Sequence, residues 1–272
     1  MTRPPEGDTP EAGAVEAEAV QVEAAEAADA LPLAPPPAIS RTTAGLVAGA
    51  AGLAFALLAV WVAERGAAVP AIDESIHRWV VAHRDPVSVT IASDLRWGGI
   101  TQVVLPVLVP VGVLAAAPGS GWSRRVRSGL ILGAIAGAGI GVETQVNHLI
   151  GRARPPISDW AGAASGPSFP SGHTTVATLF ALSCAWAFAG RVRAGWPRRA
   201  IWTGAVVYAA AVGWSRVWLG VHWPTDVVAG WLFGLAWLAA STALILTFRR
   251  RRPAAPGAPG APGAPGAPGR RR

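Results

Sequence analysis

The chain has 272 residues, of which 51% are apolar and only 14% are charged. Its 23 basic residues, all of them arginine, outnumber 16 acids and give a formal net charge of +7. This composition excludes a disordered regulator and argues against an ordinary soluble domain. The single cysteine, Cys184, excludes an intrachain disulfide framework and a cysteine-based zinc site.

The two ends of the chain differ in composition from its middle. Residues 1–41 are rich in alanine, glutamate and proline, which predicts a disordered acidic tail, and we expect no signal peptide there. Residues 249–272 combine arginines with five Ala-Pro-Gly triplets, which favour an extended tether. We expect this tail to contact anionic lipid rather than nucleic acid. One folded domain is therefore predicted over residues 42–248.

Six apolar stretches divide the predicted domain. They lie at residues 44–63, 100–117, 128–147, 173–190, 200–216 and 227–248. Helices of this length cross about 30 Å of hydrocarbon at a rise of about 1.5 Å per residue. The sequence therefore predicts an all-α integral membrane protein, a bundle of six transmembrane helices. Apolar residues at helical spacing over residues 72–86 predict an additional short interfacial helix.

The arginines outside the apolar stretches predict how the bundle is oriented. Fourteen of them lie in the second and fourth connections and beyond the sixth span, whereas the other three connections hold seven. Short basic loops stay on the cytoplasmic side of a membrane. We therefore expect both termini to be cytoplasmic and the third and fifth connections to be extracytoplasmic.

Ionisable and polar groups concentrate in three stretches at the ends of predicted spans, residues 147–155, 170–173 and 215–226. All three fall in the third and fifth connections. Ionisable groups at the edge of a membrane bundle are expensive unless they pair or bind a ligand. These stretches therefore mark a candidate site on the extracytoplasmic side.

Four residues of these stretches point to an anionic ligand. Arg154 and Arg216 carry planar forks of donors that match phosphate or carboxylate oxygens. Ser171 and Gly172 directly precede the fourth span, where free backbone N–H groups and the positive end of the helix dipole favour an anion. Gly172 also lets a ligand approach the backbone closely.

His222 precedes Asp226 by four residues at the start of the sixth predicted span. At that spacing a carboxylate can orient one ring nitrogen and leave the other as a nucleophile. His173 supplies a second imidazole, which can protonate a departing oxygen. With the arginines, these residues favour phosphoryl transfer through a phosphohistidine, with no metal or cofactor required.

Several of these residues also have ordinary structural interpretations. Asp226 after Pro224 suits the first turn of a helix, and Ser171 suits an N-cap. Arg152 and Arg154 are at positions where interfacial arginines commonly snorkel. Separate capping and anchoring do not explain why two histidines, two arginines and a carboxylate gather on one side of the membrane.

Three other functions fit parts of the pattern. A metal site is one, and its ligands would be His173, His222 and Asp226 with Glu143 or His148. Neighbouring guanidinium groups repel a divalent cation, so we expect no metal. A catalytically silent protein that binds lipid phosphate is the second. A transporter or channel is the third, but it requires ionisable groups at mid-span, where this chain is apolar apart from Glu143.

With these motifs the sequence resembles the type-2 phosphatidic acid phosphatase superfamily over roughly residues 44–248. The superfamily comprises membrane lipid phosphatases that share a catalytic core with vanadium-dependent haloperoxidases. The resemblance implies that His222 is the nucleophile, Asp226 its orienting partner and His173 the general acid. The phosphate-binding residues that it implies are Arg154, Ser171, Gly172 and Arg216.

Asn147 departs from the pattern, because the family usually has a lysine seven residues before its Arg-Pro. An asparagine donates hydrogen bonds without a charge, so we expect Asn147 to be a weaker phosphate contact that Arg152 supplements. The resemblance implies a lipid phosphate or diphosphate substrate in a bacterial-type cell membrane. We favour undecaprenyl diphosphate, because an outward-facing site suits carrier recycling; phosphatidylglycerol phosphate and phosphatidic acid are the alternatives.

Overall fold

The computed structural model describes residues 39–66, 68–116, 119 and 121–250. Most of the predicted acidic tail and of the predicted Arg-rich tail lies outside these residues. Within them the secondary structure is helical, with eight α-helices and no strand. The α-helices are α1 (Arg41–Arg65), α2 (Ala71–His83), α3 (Pro86–Leu95), α4 (Thr101–Ala115), α5 (Trp122–Ile150), α6 (Gly172–Ala189), α7 (Trp196–Trp218) and α8 (Pro224–Arg250). Two short 3-10 helices lie at Arg96–Gly99 and Ile157–Asp159.

Each of the six apolar stretches coincides with an α-helix, in order α1, α4, α5, α6, α7 and α8. By length and composition, α1, α5 and α8 are able to cross a membrane. A fourth span exists if α3, Arg96–Gly99 and α4 count as one segment, which bends by 53°. The all-α prediction is confirmed for the described part of the chain, while the count of six spans stays a prediction.

The helix predicted near residues 72–86 is present as α2, which buries Asp73, His77 and Val80. These positions are spaced by three and four residues, so they lie on one helical face. Two of the three are ionisable, which means that α2 turns polar groups toward the rest of the protein. The next helix, α3, begins at a capping box in which Asp85 accepts from the backbone N–H of Ser88.

α6 lies at the centre of the bundle and contacts α4, α5, α7 and α8. α8 approaches it closely at two glycines. A Cβ atom at Gly230 would lie 2.9 Å from the carbonyl oxygen of Ser171, and one at Gly234 would lie 2.8 Å from the Cγ2 of Thr178. Small residues at these positions therefore set the distance between the two helices.

α1 packs along α8, so the first and last helices of the described chain are neighbours. Phe55 of α1 contacts the Phe233 ring of α8 edge to face, with 5.4 Å between ring centroids. α5 ends at Gly151, whose φ of 63° provides the left-handed turn that glycine adopts freely. This turn directs residues 152–154 out of the helix and into the connection that carries two of the predicted site arginines.

Candidate active site

A cavity of about 450 Å³ lies among the end of α5, the start of α6, the end of α7 and the loop that precedes α8. Six of the nine predicted site residues line this cavity: Asn147, Arg154, Gly172, His173, Arg216 and His222. The fold therefore brings together the three polar stretches that lie far apart in the sequence.

His222 lies between α7 and α8, with 2% of its side chain exposed. Its Nδ1 is 3.4 Å from the Oδ2 of Asp226, and its Nε2 is 2.8 Å from the Nη1 of Arg154. A guanidinium group only donates, so Nε2 accepts from Arg154 and the ring proton is on Nδ1, facing Asp226. Burial, reinforced by the positive charges of Arg154 and Arg216, lowers the pKa of His222 well below its ordinary value. The imidazole is therefore neutral, with its lone pair on Nε2.

Asp226 is completely buried and both of its carboxylate oxygens are held. Oδ2 accepts a hydrogen bond of 2.9 Å from the backbone N–H of Trp223, and Oδ1 accepts one of 2.5 Å from the Nη1 of Arg152. Asp226 thus binds a backbone N–H at the start of α8 and also faces His222. The structural and the functional interpretations of Asp226 are compatible.

The structure places Arg152 behind Asp226, outside the cavity lining. Its second terminal nitrogen, Nη2, donates to the Oδ2 of Asp73 over 2.7 Å. Asp73, on α2, also accepts from the backbone N–H and the hydroxyl of Thr225, at 2.9 and 2.6 Å. Arg152 therefore connects two buried carboxylates. The sequence led us to expect a phosphate contact for Arg152, and this geometry does not provide one.

All five N–H donors of Arg154 are engaged with the protein. Besides His222, its guanidinium donates to the carbonyl oxygens of Ser165, Gly166, Pro167 and Val221, at 2.8 to 2.9 Å. Burial lowers the pKa of Arg154, while the charge of Asp226 raises it, and an arginine remains protonated at any working pH. Arg154 therefore holds the 165–167 loop over His222.

Arg216 contrasts with Arg154, because its side chain is 1% exposed yet largely without partners. Its Nε and Nη1 make no hydrogen bond to any residue that the structure describes, and its Nη2 is a long 3.5 Å from the carbonyl oxygen of Ala163. A buried guanidinium with unpaired donors is costly unless it meets an anion. Arg216 is therefore the strongest structural sign that the cavity binds an anionic group.

The start of α6 adds backbone donors to the cavity. Gly172 and His173 line it, and the first N–H groups of a helix have no partner within the helix. Ser171 is buried outside the lining, where its hydroxyl accepts from that of Thr174 at 2.9 Å. A Cβ at Gly172 would be 3.6 Å from both carboxylate oxygens of Glu143, an ordinary contact, so the protein itself leaves room for a methyl group there.

Asn147 lines the cavity but uses its amide donors elsewhere. Its Nδ2 donates to the carbonyl oxygens of Pro167 and Pro170, at 3.2 and 3.1 Å. These bonds join the end of α5 to the segment that leads into α6. The geometry gives Asn147 a structural contact in addition to its place in the lining.

The connection that covers the site is fixed by α2 and the segment that follows it. The Nε2 of His77, on α2, lies 3.0 Å from the Oδ2 of Asp159. This hydrogen bond lowers the pKa of Asp159. Arg84 donates to the backbone oxygen of the same residue over 2.6 Å. The connection that carries the acceptors of Arg154 at residues 165–167 is thus also held at Asp159, by His77 and Arg84.

Residues 128–250 match the PAP2 superfamily. The chain contains a PAP2 superfamily domain. It is 36% identical over 100 residues to the putative undecaprenyl-diphosphatase YbjG of Escherichia coli K12, which covers 35% of this chain and 45% of that protein. It is 28% identical over 169 residues to phosphatidylglycerophosphatase B of Bacillus subtilis 168, which covers 62% of this chain and 80% of that protein.

A solved structure resembles three quarters of this chain. The crystal structure of a transmembrane PAP2-type phosphatidylglycerolphosphate phosphatase from Bacillus subtilis matches with a TM-score of 0.64 and 26% identity, over 75% of this chain and 98% of that one. The family resemblance predicted from the motifs is therefore confirmed. With its long apolar helices and this structural neighbour, the chain is a multi-pass membrane protein. It spans less than half the length of the Escherichia coli relative.

Two residues that precede the PAP2 match contribute to the site, and the sequence indicated neither. Asp73 supports Asp226 through Arg152, and Arg96 lines the cavity itself. The sequence did contain a signal for Asp73. This residue lies on the face of α2 that a surface helix buries, and that face is normally apolar, so a carboxylate there is unusual. For Arg96 the sequence offers only its adjacency to Trp97 and two glycines.

The structure also bears on the alternative metal site. Among the described residues, no three His, Cys, Asp or Glu side chains are grouped so that they could hold a metal ion. Glu143 lines the PAP2 cavity beside Gly172, whereas His148 is absent from the lining. The metal-binding interpretation therefore has no assembled ligand set in this part of the chain.

Proposed function

We propose that this PAP2 protein is a metal-independent lipid phosphatase that hydrolyses a lipid phosphate or diphosphate through a phosphohistidine on His222. The observation that carries the proposal is the pairing of a neutral, oriented His222 with the unsatisfied guanidinium of Arg216 around one cavity. The names of the relatives, all phosphatases, support the same reaction class. We assign Arg152 to positioning Asp226 rather than to binding phosphate.

In the first step the phosphate enters between Arg216 and the start of α6. One of its oxygens replaces His222 as the acceptor for Arg154, which frees the lone pair on Nε2. Nε2 then attacks phosphorus, and the bond from phosphorus to the lipid oxygen breaks. The bound phosphate places negative charge beside His173 and so favours its protonated form. His173 then gives this proton to the lipid oxygen, so that a neutral alcohol or a protonated lipid phosphate leaves.

In the second step water hydrolyses the phosphohistidine. His173, now neutral, takes a proton from the water as its oxygen attacks phosphorus, and the bond from Nε2 to phosphorus breaks. Inorganic phosphate leaves and both histidines return to their starting state. Throughout, Asp226 stabilises the Nδ1–H of His222, and the arginines with the α6 N-terminus balance the charge on the equatorial oxygens.

Undecaprenyl diphosphate is the substrate we favour, because an outward-facing site suits carrier recycling and because the name of the Escherichia coli relative refers to this substrate. Phosphatidylglycerol phosphate is the second candidate. It is supported by the relative and the solved structure that align over the largest shares of their lengths, 80% and 98%. Phosphatidic acid is the third substrate to compare.

Our proposal for the topology has six transmembrane spans, both termini in the cytoplasm and the cavity open to the extracytoplasmic side. The arginine distribution supports it. The cavity lies at the ends of α5, α6 and α7, so a lipid headgroup can reach it from the membrane edge. Reporter fusions after residue 120 and after residue 160 test the topology, because the first point is predicted to be cytoplasmic and the second extracytoplasmic.

The activity is tested by phosphate release from the purified protein in detergent, with EDTA present, on each of the three lipids. We expect release that survives EDTA and is abolished by His222→Ala. The ranking of the three lipids identifies the substrate. Equal inertness of wild type and variant would favour a silent lipid-phosphate binder, and activity lost to EDTA and restored by a divalent ion would refute the metal-independent mechanism.

A further inference from the structure

We propose that Arg96 is a third phosphate-binding arginine of the cavity and supplies the positive charge that position 147 lacks. This inference rests on the proposed function, because it concerns the same site. Arg96 precedes the PAP2 match by more than thirty residues and belongs to none of its three motif stretches. It reaches the cavity from the 3-10 helix that separates α3 from α4.

The backbone of this 3-10 helix is fixed against the catalytic helices at two points. The hydroxyl of Tyr208, on α7, donates to the carbonyl oxygen of Gly98 over 2.8 Å. A Cβ at Gly98 would lie 2.3 Å from that hydroxyl, and one at Gly99 would lie 2.6 Å from the backbone oxygen of His173. Both glycines are therefore required for this close approach, which brings Arg96 to the general acid's end of the cavity.

The guanidinium of Arg96 is available to a ligand. Its Cζ lies over the Trp97 ring, 5.2 Å from the centroid, and it forms no ion pair with any acid in the described ranges. Stacking on an aromatic face leaves the N–H edge of a guanidinium free to bind an anion. Glu143, the carboxylate in the lining, likewise has no ion pair within the described chain, so it does not neutralise Arg96.

Position 147 explains why a further arginine is needed. The amide of Asn147 is bonded to the carbonyls of Pro167 and Pro170 and carries no charge. Arg154 meets a phosphate only by exchanging existing bonds, so among the motif arginines that line the cavity, Arg216 is the one with donors that have no partner in the described part of the chain. Arg96 adds a second unpaired guanidinium to the same cavity, and two forks bind the oxygens of one phosphoryl group more strongly than one.

Binding of inorganic phosphate tests the proposal without requiring turnover. Its Kd is measured by titration calorimetry in detergent for wild type, Arg96→Gln, Arg96→Lys and the matched control Arg78→Gln, which removes an exposed arginine on α2. We expect Arg96→Gln to raise the Kd by about tenfold to one hundredfold, since a charge-assisted hydrogen bond is lost. Arg96→Lys keeps the charge without the fork and should raise it by about threefold to tenfold.

The control is expected to stay within about twofold of wild type. A Kd for Arg96→Gln within twofold of wild type, with an unchanged unfolding temperature, would overturn the proposal. If Arg96→Gln does not fold, Arg96→Met takes its place, because methionine keeps much of the side-chain length without the charge, and an unchanged Kd for that variant overturns the proposal. If Arg96→Gln weakens phosphate binding but the wild-type protein hydrolyses none of the three lipids, the phosphatase function alone is refuted. If the wild-type protein hydrolyses a lipid but Arg96→Gln leaves the Kd unchanged, the role of Arg96 alone is refuted.

Discussion

Replacing Arg152 with methionine should destabilise the protein and slow turnover together. Arg152 lies 2.7 Å from Asp73 and 2.5 Å from Asp226, and all three side chains are buried. At about 4 Å between charge centres and an effective dielectric constant of about 20, each attraction is worth about 4 kcal/mol. Without Arg152, one of the two carboxylates can take up a proton, which recovers part of the lost attraction. We therefore expect the free energy of unfolding to fall by about 3–5 kcal/mol, as for other buried pairs that lose one partner.

The unfolding temperature in detergent, followed by tryptophan fluorescence, measures this loss. A change of 1 kcal/mol shifts the unfolding temperature of a domain of this size by about 2–4 °C, so Arg152→Met should unfold about 6–20 °C below wild type. Below that temperature, kcat should fall by about tenfold to one hundredfold, because Asp226 no longer holds His222 in register. KM should change less than twofold, since Arg152 does not line the cavity.

Two comparisons make the prediction strict. Arg78→Met removes an exposed arginine from α2 and should leave the unfolding temperature within about 1 °C of wild type. Adding Asp73→Asn to Arg152→Met removes one of the two stranded carboxylates and should recover part of the loss, which a double-mutant cycle quantifies. An unfolding temperature for Arg152→Met within 2 °C of wild type would refute the assignment of Arg152 to the Asp73 and Asp226 pair.

Three further outcomes are expected. Gly172→Ala should leave the unfolding temperature unchanged, because the added methyl group meets only ordinary contacts, but should lower phosphate release by filling the ligand's place; equal activity would show that no ligand approaches there. His173→Ala should slow substrates with poor leaving groups most, which kcat for an alkyl and an aryl phosphate compares; equal losses would contradict its role as general acid. Because the pKa of His222 is lowered by folding, the unfolded chain binds a proton below pH 6.5 that the folded chain excludes, so the free energy of unfolding falls as pH drops below that value. His222→Asn should reduce this decline between pH 7.5 and 5, as unfolding temperatures at the two pH values will show, and an unchanged decline would assign it to other groups.

Much of the candidate site was predictable because its motifs are local. His222 and Asp226 are one helical turn apart, and Ser171, Gly172 and His173 are adjacent, so spacing alone groups them. The arginine count then placed the motifs at one membrane face. The structure assembles most of these residues around one cavity.

Contacts between distant segments were not predictable in this way. Arg152 and Arg154 look alike in the sequence, but one lies behind Asp226 and the other touches His222. Their difference arises from Asp73, which precedes Arg152 by 79 residues and reaches it only through the docking of α2. Arg96 depends on a similar docking of Gly98 and Gly99 against α6 and α7. No periodicity or spacing within a window of one or two helices contains this information.

The capping of α8 by Asp73 has a consequence for how the protein is made. Asp73 accepts from the backbone N–H of Thr225, so the first turn of the last helix is completed by a residue that the ribosome synthesised 152 residues earlier. α1 packs along the same helix. Under the proposed function, the His222 loop is therefore not competent until α8 has been made and has packed against α1 and α2, and we expect hydrolytic activity only after that point.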